Sequence, residues 1–443
     1  MDWIKLLLPQ RFDSKKMGDL PVRTSFEKDY DRIIFSQPFR KLQDKTQVFP
    51  LPEDDFVHTR LTHSLEVSSV GRSLGKKVGE EVLSKNRDLV KLGYTANDFG
   101  TIVASASLAH DVGNPPFGHS GEEAISDFFK SGKGTEFKDL VTPGEWSDLT
   151  NFEGNAQGFR ILNADSMRLT LPVLGAFSKY PRESRIRKVD SARRSQKKFG
   201  FFQSEKEVFK HLSSKLELLE LDKNDATWCR HPLAFLVEAA DDICYHIIDL
   251  EDGCTLGLVS EEETSGLLMR ILGSDFKPKK YEQIPTTQQR IGTLRAMSIN
   301  KLANQAAEVF IQNERAILNG DFDKPLIELT ESTPVLNEII DLSVEKLYRS
   351  KPVIQIETAG FEVLEGLLES FSGSMIGVLH KTSDSHRNKT FWRLIPELYK
   401  IGLSENSTTY EVLRSCIDFI ASMTDTFAIS TFRKIKGISL PGF

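Results

Sequence analysis

The stretch "LAHDVGNPPFGHSGEE", residues 108–123, dictates where this chain must break. Apolar residues at Ile102, Val103, Ala106 and Ala109 repeat at helical spacing up to His110, so 99–112 reads as a helix. Gly113 then offers a stop, and Pro115 and Pro116 keep the helix from restarting. The break is crowded with chemistry: His110 and Asp111 stand at the helix end, and His119 and Glu122 follow just beyond it. Imidazoles and carboxylates are costly to bury unpaired, so this density beside a break reads as a site rather than a core.

Helical periodicity governs most of the remaining chain. Leu65, Val67, Val70, Leu74 and Val78 predict a helix across 61–79, and 120–130 starts another. Ser120-x-x-Glu123 reads as the capping box of that second helix, which leaves Glu122 without a local task. Residues 232–251 form a long helix with Pro232 near its first turn. A Pro- and acid-rich turn makes 45–59 a small hairpin, and 352–358 is a lone strand candidate. The regions 362–400 and 410–435 are helical again, and the N-terminus is a short amphipathic helix using Trp3, Ile4, Leu7 and Leu8. The expected class is mainly α: a helical bundle with a small β-hairpin and additional C-terminal helices. We divide it into a catalytic core over 1–260 and a helical region over 261–443 packed on that core.

Composition narrows the function. With 443 residues, 39% of them hydrophobic, and a net charge of −6, the chain can bury a large core and lacks the charge for a broad nucleic-acid surface. The apolar run at the N-terminus is too short for a signal peptide, and no stretch reaches the ~18 apolar residues of a membrane helix. Cys229, Cys244, Cys254 and Cys416 show no CxxC spacing. A disulfide scaffold and a thiolate metal cluster are therefore not expected, and a cytoplasmic location is.

Four groups on or at the ends of predicted helices stand out: His63, His110, Asp111 and Asp241. Two neutral imidazoles and two carboxylates balance a divalent cation, and mixed N/O ligation leaves positions open for water and substrate.

The segments "HTRLTHSLEVS", "LAHDVGNPPFGHSGEEAI", "NFEGNAQGFRIL" and "FLVEAADDICYHIIDLEDG" together resemble the HD superfamily. More narrowly, the chain resembles the bacterial deoxynucleoside triphosphate triphosphohydrolases, the dGTPase-like proteins. "SFEKDYDRIIFSQPFRKLQDKTQVF" and "SMTDTFA" are similar to that family too, although the latter reads physically as helical packing.

The resemblance implies an HD-domain bundle holding one divalent ion, manganese, magnesium or another first-row transition metal, on His63, His110, Asp111 and a distal aspartate. Asp241 and Asp242 both fit. Asp241 shares a helix face with Tyr245 and Asp249, the offsets at which the family holds the deoxyribose, and this favours Asp241. Asp242 is then a supporting or surface carboxylate. By resemblance His119 is the general acid toward the leaving oxygen or a helper of the nucleophile, with Glu122 its orienter, Arg60, Lys179 and Lys198 contact phosphates, and Gln43 lies near sugar and base. Residues 182–198 carry eight basic side chains against two acidic ones and read either as a flexible solvated loop or as a mobile phosphate-binding lid. The implied reaction cleaves a deoxynucleoside triphosphate into deoxynucleoside and inorganic tripolyphosphate. A homo-oligomer, such as a hexamer, and a nucleotide or single-stranded-DNA effector are implied partners; a membrane is not. The alternatives are a dNTP-sensing or single-stranded-DNA-binding HD module with little turnover, and an HD phosphohydrolase of another nucleotide.

Overall fold

The computed structural model describes residues 1–12, 23–48, 58–185, 189–222, 224–383 and 385–438. Among them the first half of the chain forms α1 (Trp3–Leu6), α2 (Ser25–Phe35), α3 (Gln37–Lys41), α4 (Arg60–Lys85), α5 (Arg87–Lys91), α6 (Ala96–Ala109), α7 (Gly118–Lys130), α8 (Pro143–Thr150), α9 (Gly154–Asn163), α10 (Leu171–Phe177) and α11 (Lys206–Leu216). A two-stranded antiparallel sheet, β1 (Glu220–Asp222) with β2 (Thr227–Trp228), precedes the second half. There follow α12 (Ala234–Thr255), α13 (Glu261–Leu272), α14 (Pro278–Tyr281), α15 (Thr287–Leu318), α16 (Thr333–Ser343), α17 (Lys351–Leu379), α18 (His386–Leu394), α19 (Thr409–Ala421) and α20 (Asp425–Ile435). The class is mainly α, as the periodicity predicts.

The helices that carry the site meet because α4 lacks side chains where it crosses α6. A Cβ on Gly71 would stand 2.5 Å from Ser107 Oγ, and one on Gly75 would stand 2.7 Å from the Phe99 carbonyl oxygen. Either would force the helices apart, at a cost of about 1–3 kcal/mol. The pairing runs antiparallel, so the first turn of α4, with His63, lies beside the last turn of α6, which His110 caps. Thr59 caps α4 through the Thr62 N–H, which fixes where Arg60 and His63 begin their turn. Buried Ile102, Val103, Ala106 and Ala109 seat α6 as expected.

Apolar side chains gather in two clusters. One contains Phe99, Ile102, Ile243, Ile247, Leu302 and Phe310, joining α4, α6 and α12 to α15. The other contains Phe128, Phe129, Leu367, Phe371, Leu413 and Ile417, joining α7 to α17 and α19. Each cluster draws on both sides of the division we propose near residue 260.

Several local expectations are corrected. Residues 352–358 are not a strand: they lie in α17, where Pro352 takes a first-turn position and Val353 is buried. Their β-branched residues suggested a strand, and packing of the helix prevails. Of the hairpin expected at 45–59, the described residues show an antiparallel bridge from Thr46 to Thr59, and 49–57 lie outside them; a further antiparallel pair lies at 220–222 and 227–228. Leu65 is 43% exposed, and in α1 it is Leu6, not Ile4, that is buried beside Trp3 and Leu7. The Ser120 capping box is not made, because α7 starts earlier, at Gly118 after a left-handed Phe117. No helix among the described residues is long and apolar enough to cross a membrane.

Candidate active site

The loop after α6 turns where no side chain could fit. A Cβ on Gly113 would lie 2.0 Å from the Gly154 carbonyl oxygen, so close packing on α9, rather than a left-handed stop, explains this glycine. That contact turns His110 and Asp111 inward, toward His63 on α4 and Asp241 on α12. The ligand atoms of His63, His110 and Asp111 lie within 4.8 Å of one another. Asp241 Oδ1 stands 3.2 Å from His63 Nε2 and 3.5 Å from His110 Nε2.

Polar partners set each group. The Ser107 carbonyl oxygen accepts from His110 Nδ1 at 2.7 Å, which leaves the Nε2 lone pair facing the cluster. Asp111 Oδ1 accepts from Arg60 and Asn114, whereas Asp111 Oδ2 is buried without any hydrogen-bond partner, 3.5 Å from His110 Nε2. Burial pushes the Asp111 carboxyl up, but Arg60 and the two imidazoles outweigh it and hold it below the usual carboxylate range. Asp241 follows the same pattern: burial raises it, while His110, the His63 contact and Lys179 drive it far down. An orphaned anionic oxygen among two imidazoles and a second carboxylate is a donor set that fits a divalent cation. Asp242 makes no such contact and instead lines the cavity beside Lys179; burial, Glu238 and Asp241 push its carboxyl up to about 7.

The cluster opens into a cavity of about 700 Å³. On one wall, at the start of α7, His119 Nδ1 donates to Glu122 Oε2 at 2.8 Å. The His119 side chain is 82% exposed, whereas Glu122 is 9% exposed and also accepts from the Gly154 N–H at 2.7 Å. Burial would raise Glu122, but His119, Lys198 and the Gly154 amide hold it below its ordinary value. Glu123, its neighbour, faces solvent. Gly118 has φ +59°, and a Cβ there would meet the Arg60 guanidinium at 2.7 Å, so this glycine both opens α7 and admits Arg60.

Lys179 and Lys198 also line the cavity. Lys179 Nζ lies 3.5 Å from Glu238, and Lys198 Nζ lies 3.1 Å from Glu153 of the "NFEGNAQ" segment. Burial would lower each, but Tyr180 and Glu238 raise Lys179, and Glu122 and Glu153 raise Lys198. Among the described residues of the basic segment, Arg182 donates to the Gln196 carbonyl oxygen at 2.8 Å, and the Ser195 hydroxyl donates to Asp323 Oδ2. Its residues 186–188 lie outside the described set.

At the other end, Tyr245 lies one turn beyond Asp241 on α12 and lines the cavity. Asp249 is buried, and its Oδ2 accepts from Tyr348 Oη at 2.7 Å; the Tyr348 ring stacks on Tyr245 with centroids 5.8 Å apart. Tyr348, 99 positions from Asp249 in sequence, gave no local signal. Gln43 is not brought to this place: it is exposed on a short 3-10 turn, Leu42–Asp44. Gln47, four residues on, lines this cavity and an adjoining one of about 280 Å³, and its Oε1 is buried without a partner. The "SMTDTFA" segment does more than pack. Buried Asp425 accepts from the Thr46 and Phe117 amides at 2.9 and 3.0 Å, tying α20 to both loops beside the site.

An HD domain model matches residues 60–145, and the model of a phosphohydrolase-associated domain matches residues 333–434. The chain is 41% identical to the deoxyguanosinetriphosphate triphosphohydrolase-like protein of Synechocystis sp., over 99% of this chain and 100% of that protein. It is 39% identical to the like-named protein of Pseudomonas aeruginosa, over 100% of both. With the deoxyguanosinetriphosphate triphosphohydrolase of Salmonella paratyphi A it shares 32% identity, over 93% of this chain and 94% of that enzyme.

Proposed function

The chain belongs to the deoxyguanosinetriphosphate triphosphohydrolase-like family of HD-domain phosphohydrolases, and from that premise we propose that it hydrolyses a deoxynucleoside triphosphate, dGTP or a close analogue, to the deoxynucleoside and inorganic tripolyphosphate. The observation that carries this reading is the partnerless Asp111 Oδ2, buried among two imidazoles at the mouth of a cavity lined with cations. His63, His110, Asp111 and Asp241 would hold a divalent ion, manganese, magnesium or another first-row metal. When bound, such an ion neutralises charge on a phosphate and lowers the pKa of a water molecule.

The protein's own groups divide the remaining work. Arg60, Lys179 and Lys198 stabilise the phosphate oxygens and orient the α-phosphate toward the cluster. His119, held at Nδ1 by Glu122, keeps Nε2 free to deliver a proton to the departing 5′-oxygen of the nucleoside. Tyr245 closes the space beside the sugar 2′ position. Asp249 accepts from the 3′-hydroxyl in exchange for Tyr348, and Gln47, in place of Gln43, offers its free oxygen to the sugar or base. A homo-oligomer and a nucleotide or single-stranded-DNA effector stay part of the proposal, and light scattering with and without nucleotide tests them.

Incubation with dGTP and manganese, followed by chromatography, tests the reaction. Deoxyguanosine and tripolyphosphate are expected; dGMP and pyrophosphate would overturn the assignment, and nucleotide bound without turnover would favour a sensing module. Metal content of the purified chain supplies a readout independent of turnover.

A further inference from the structure

Beyond the cationic groups already named, the cavity wall carries a guanidinium whose buried Nε has no hydrogen-bond partner among the described residues. Arg194 sits on a 3-10 turn, Arg194–Gln196, and lines the cavity beside Lys179. Its Nε is buried without a partner, and the nearest carboxylate, Glu238 Oε1, is 3.6 Å away. Among the described residues no hydrogen bond holds its side chain. Glu238 is itself fully buried and engaged by Arg230 at 2.5 Å. It therefore keeps Arg194 and Lys179 facing inward without consuming their N–H groups.

The backbone under Arg194 is fixed from elsewhere in the chain. The Arg194 amide donates to the Asp323 carbonyl oxygen at 3.1 Å, and the Ser195 amide and hydroxyl donate to Asp323 Oδ2 at 3.2 and 2.5 Å. Asp323 Oδ1 accepts from Arg230 at 2.8 Å, and Arg193 donates to the Gly320 carbonyl oxygen at 2.6 Å. One buried carboxylate, 128 positions from Ser195, thus sets the turn that presents the guanidinium.

Helix α12 gives the direction. Asp249, Tyr245, Asp241 and Glu238 follow one another along it, at steps of about 6, 6 and 4.5 Å along the axis. If the sugar lies at Tyr245 and Asp249 and the α-phosphate at Asp241, the rest of the phosphate chain runs toward Glu238, where Lys179 and Arg194 stand. We propose that Arg194 is a further triphosphate-binding residue, one that grips the far end of the phosphate chain, and that Asp323 is its positioning residue. This rests on the function proposed above. A planar guanidinium suits two oxygens of a terminal phosphate, which Lys179 alone meets only as a point charge.

Steady-state hydrolysis of dGTP by the full-length protein with manganese, together with inhibition by inorganic tripolyphosphate and by deoxyguanosine, tests the assignment. Arg194→Ala should raise both KM for dGTP and the inhibition constant of tripolyphosphate roughly ten- to a hundredfold, the worth of a charged hydrogen bond, with kcat changed far less. Inhibition by deoxyguanosine should be unchanged. Arg194→Lys should recover part of the loss, since it keeps the charge and loses the fork. Asp323→Asn should move the same two constants in the same direction but less. Unaltered tripolyphosphate inhibition in Arg194→Ala, or equal weakening of deoxyguanosine, would overturn the proposal. If wild type released pyrophosphate instead of tripolyphosphate, the proposed reaction itself would fall; tripolyphosphate release with an indifferent Arg194 would sink only this inference.

Discussion

Two imidazole–carboxylate groupings face one cavity, and they differ in their access to water. His63 is 1% exposed at its side chain, Asp111 8% and His110 14%. Across the cavity His119 is 82% exposed, while its carboxylate Glu122 is 9% exposed. The buried grouping has more acceptor oxygens than donors, which leaves Asp111 Oδ2 unmatched. In the exposed pair both carboxylate oxygens are matched, Oε2 by His119 Nδ1 and Oε1 by the Gly154 amide, with the second imidazole nitrogen beyond. Burial with an excess of anionic oxygen suits a cation; a carboxylate fixed beneath an exposed imidazole suits proton delivery. The same residue types thus support different chemistry because their solvation differs.

The largest expected effect comes from breaking the buried side. Asp111→Ala removes the unmatched oxygen and should abolish stoichiometric metal together with turnover. An ion that supplies several kcal/mol of transition-state stabilisation makes this a loss of more than about a thousandfold. Plasma mass spectrometry of the purified variant reads the metal, and Asp241→Asn should behave likewise, whereas Asp242→Asn should keep its ion. Full metal occupancy in Asp111→Ala would dissolve the distinction between the two groupings.

Next comes the exposed side. His119→Ala should lower kcat by about a hundred- to ten-thousandfold while metal content stays at the wild-type level. Glu122→Gln should lower it less, since the imidazole keeps a hydrogen-bond partner but loses the charge that orients it. If His119→Ala lost metal along with activity, His119 would belong with the ligands and the comparison would fail.

Of the buried grouping, His110 and Asp111 stood out by local signals, whereas His63 and Asp241 were joined to them by the family resemblance. A helix ends at His110, prolines forbid its continuation, and Asp241 shares a face with Tyr245. Glu122 stood out for the same reason, although the cap that singled it out is not the one the chain uses. What escaped is long-range or depends on a turn. Tyr348 reaches Asp249 across 99 positions, and Asp425 reaches Phe117 across 308; no periodicity announces either. Gln43 and Gln47 sit four apart in one segment, where helical spacing would put them on one face. The 3-10 turn Leu42–Asp44 ends between them, so only Gln47 reaches the cavity. Residues 352–358 failed in the opposite way: their β-branched side chains spoke for a strand, and burial along α17 decided for helix.

The exposure of Gln43 yields a smaller test, at the Tyr245 end of the cavity, where Gln47 lies. Gln47→Ala should raise KM up to about tenfold, the worth of one neutral hydrogen bond, with metal content and the pH profile unchanged. Gln43→Ala should leave KM where it was. An effect from Gln43 and none from Gln47 would show that the exposed turn, not the cavity wall, meets the substrate.

The smallest effect at neutral pH comes from a further buried imidazole, one that pairs with no carboxylate among the described residues. His231 is 1% exposed; its Nε2 donates to the Leu6 carbonyl oxygen at 3.0 Å, and its Nδ1 accepts from the Leu233 amide at 3.1 Å. Burial pushes the imidazole down to about 4, against the Leu6 carbonyl, which pulls it up. The folded protein therefore holds His231 neutral where the unfolded chain, with an ordinary pKa of 6.5, takes a proton. Its contribution is complete above pH 6.5 and is lost as the pH falls toward 4, about 3 kcal/mol over that window. Urea midpoints should thus fall between pH 7 and pH 5 with no matching change in metal content at pH 7. His231→Gln should begin less stable, having lost one of two hydrogen bonds, and lose less on acidification. Equal acid sensitivity in both proteins would mean that burial without a carboxylate is not what sets this histidine apart from His63 and His110.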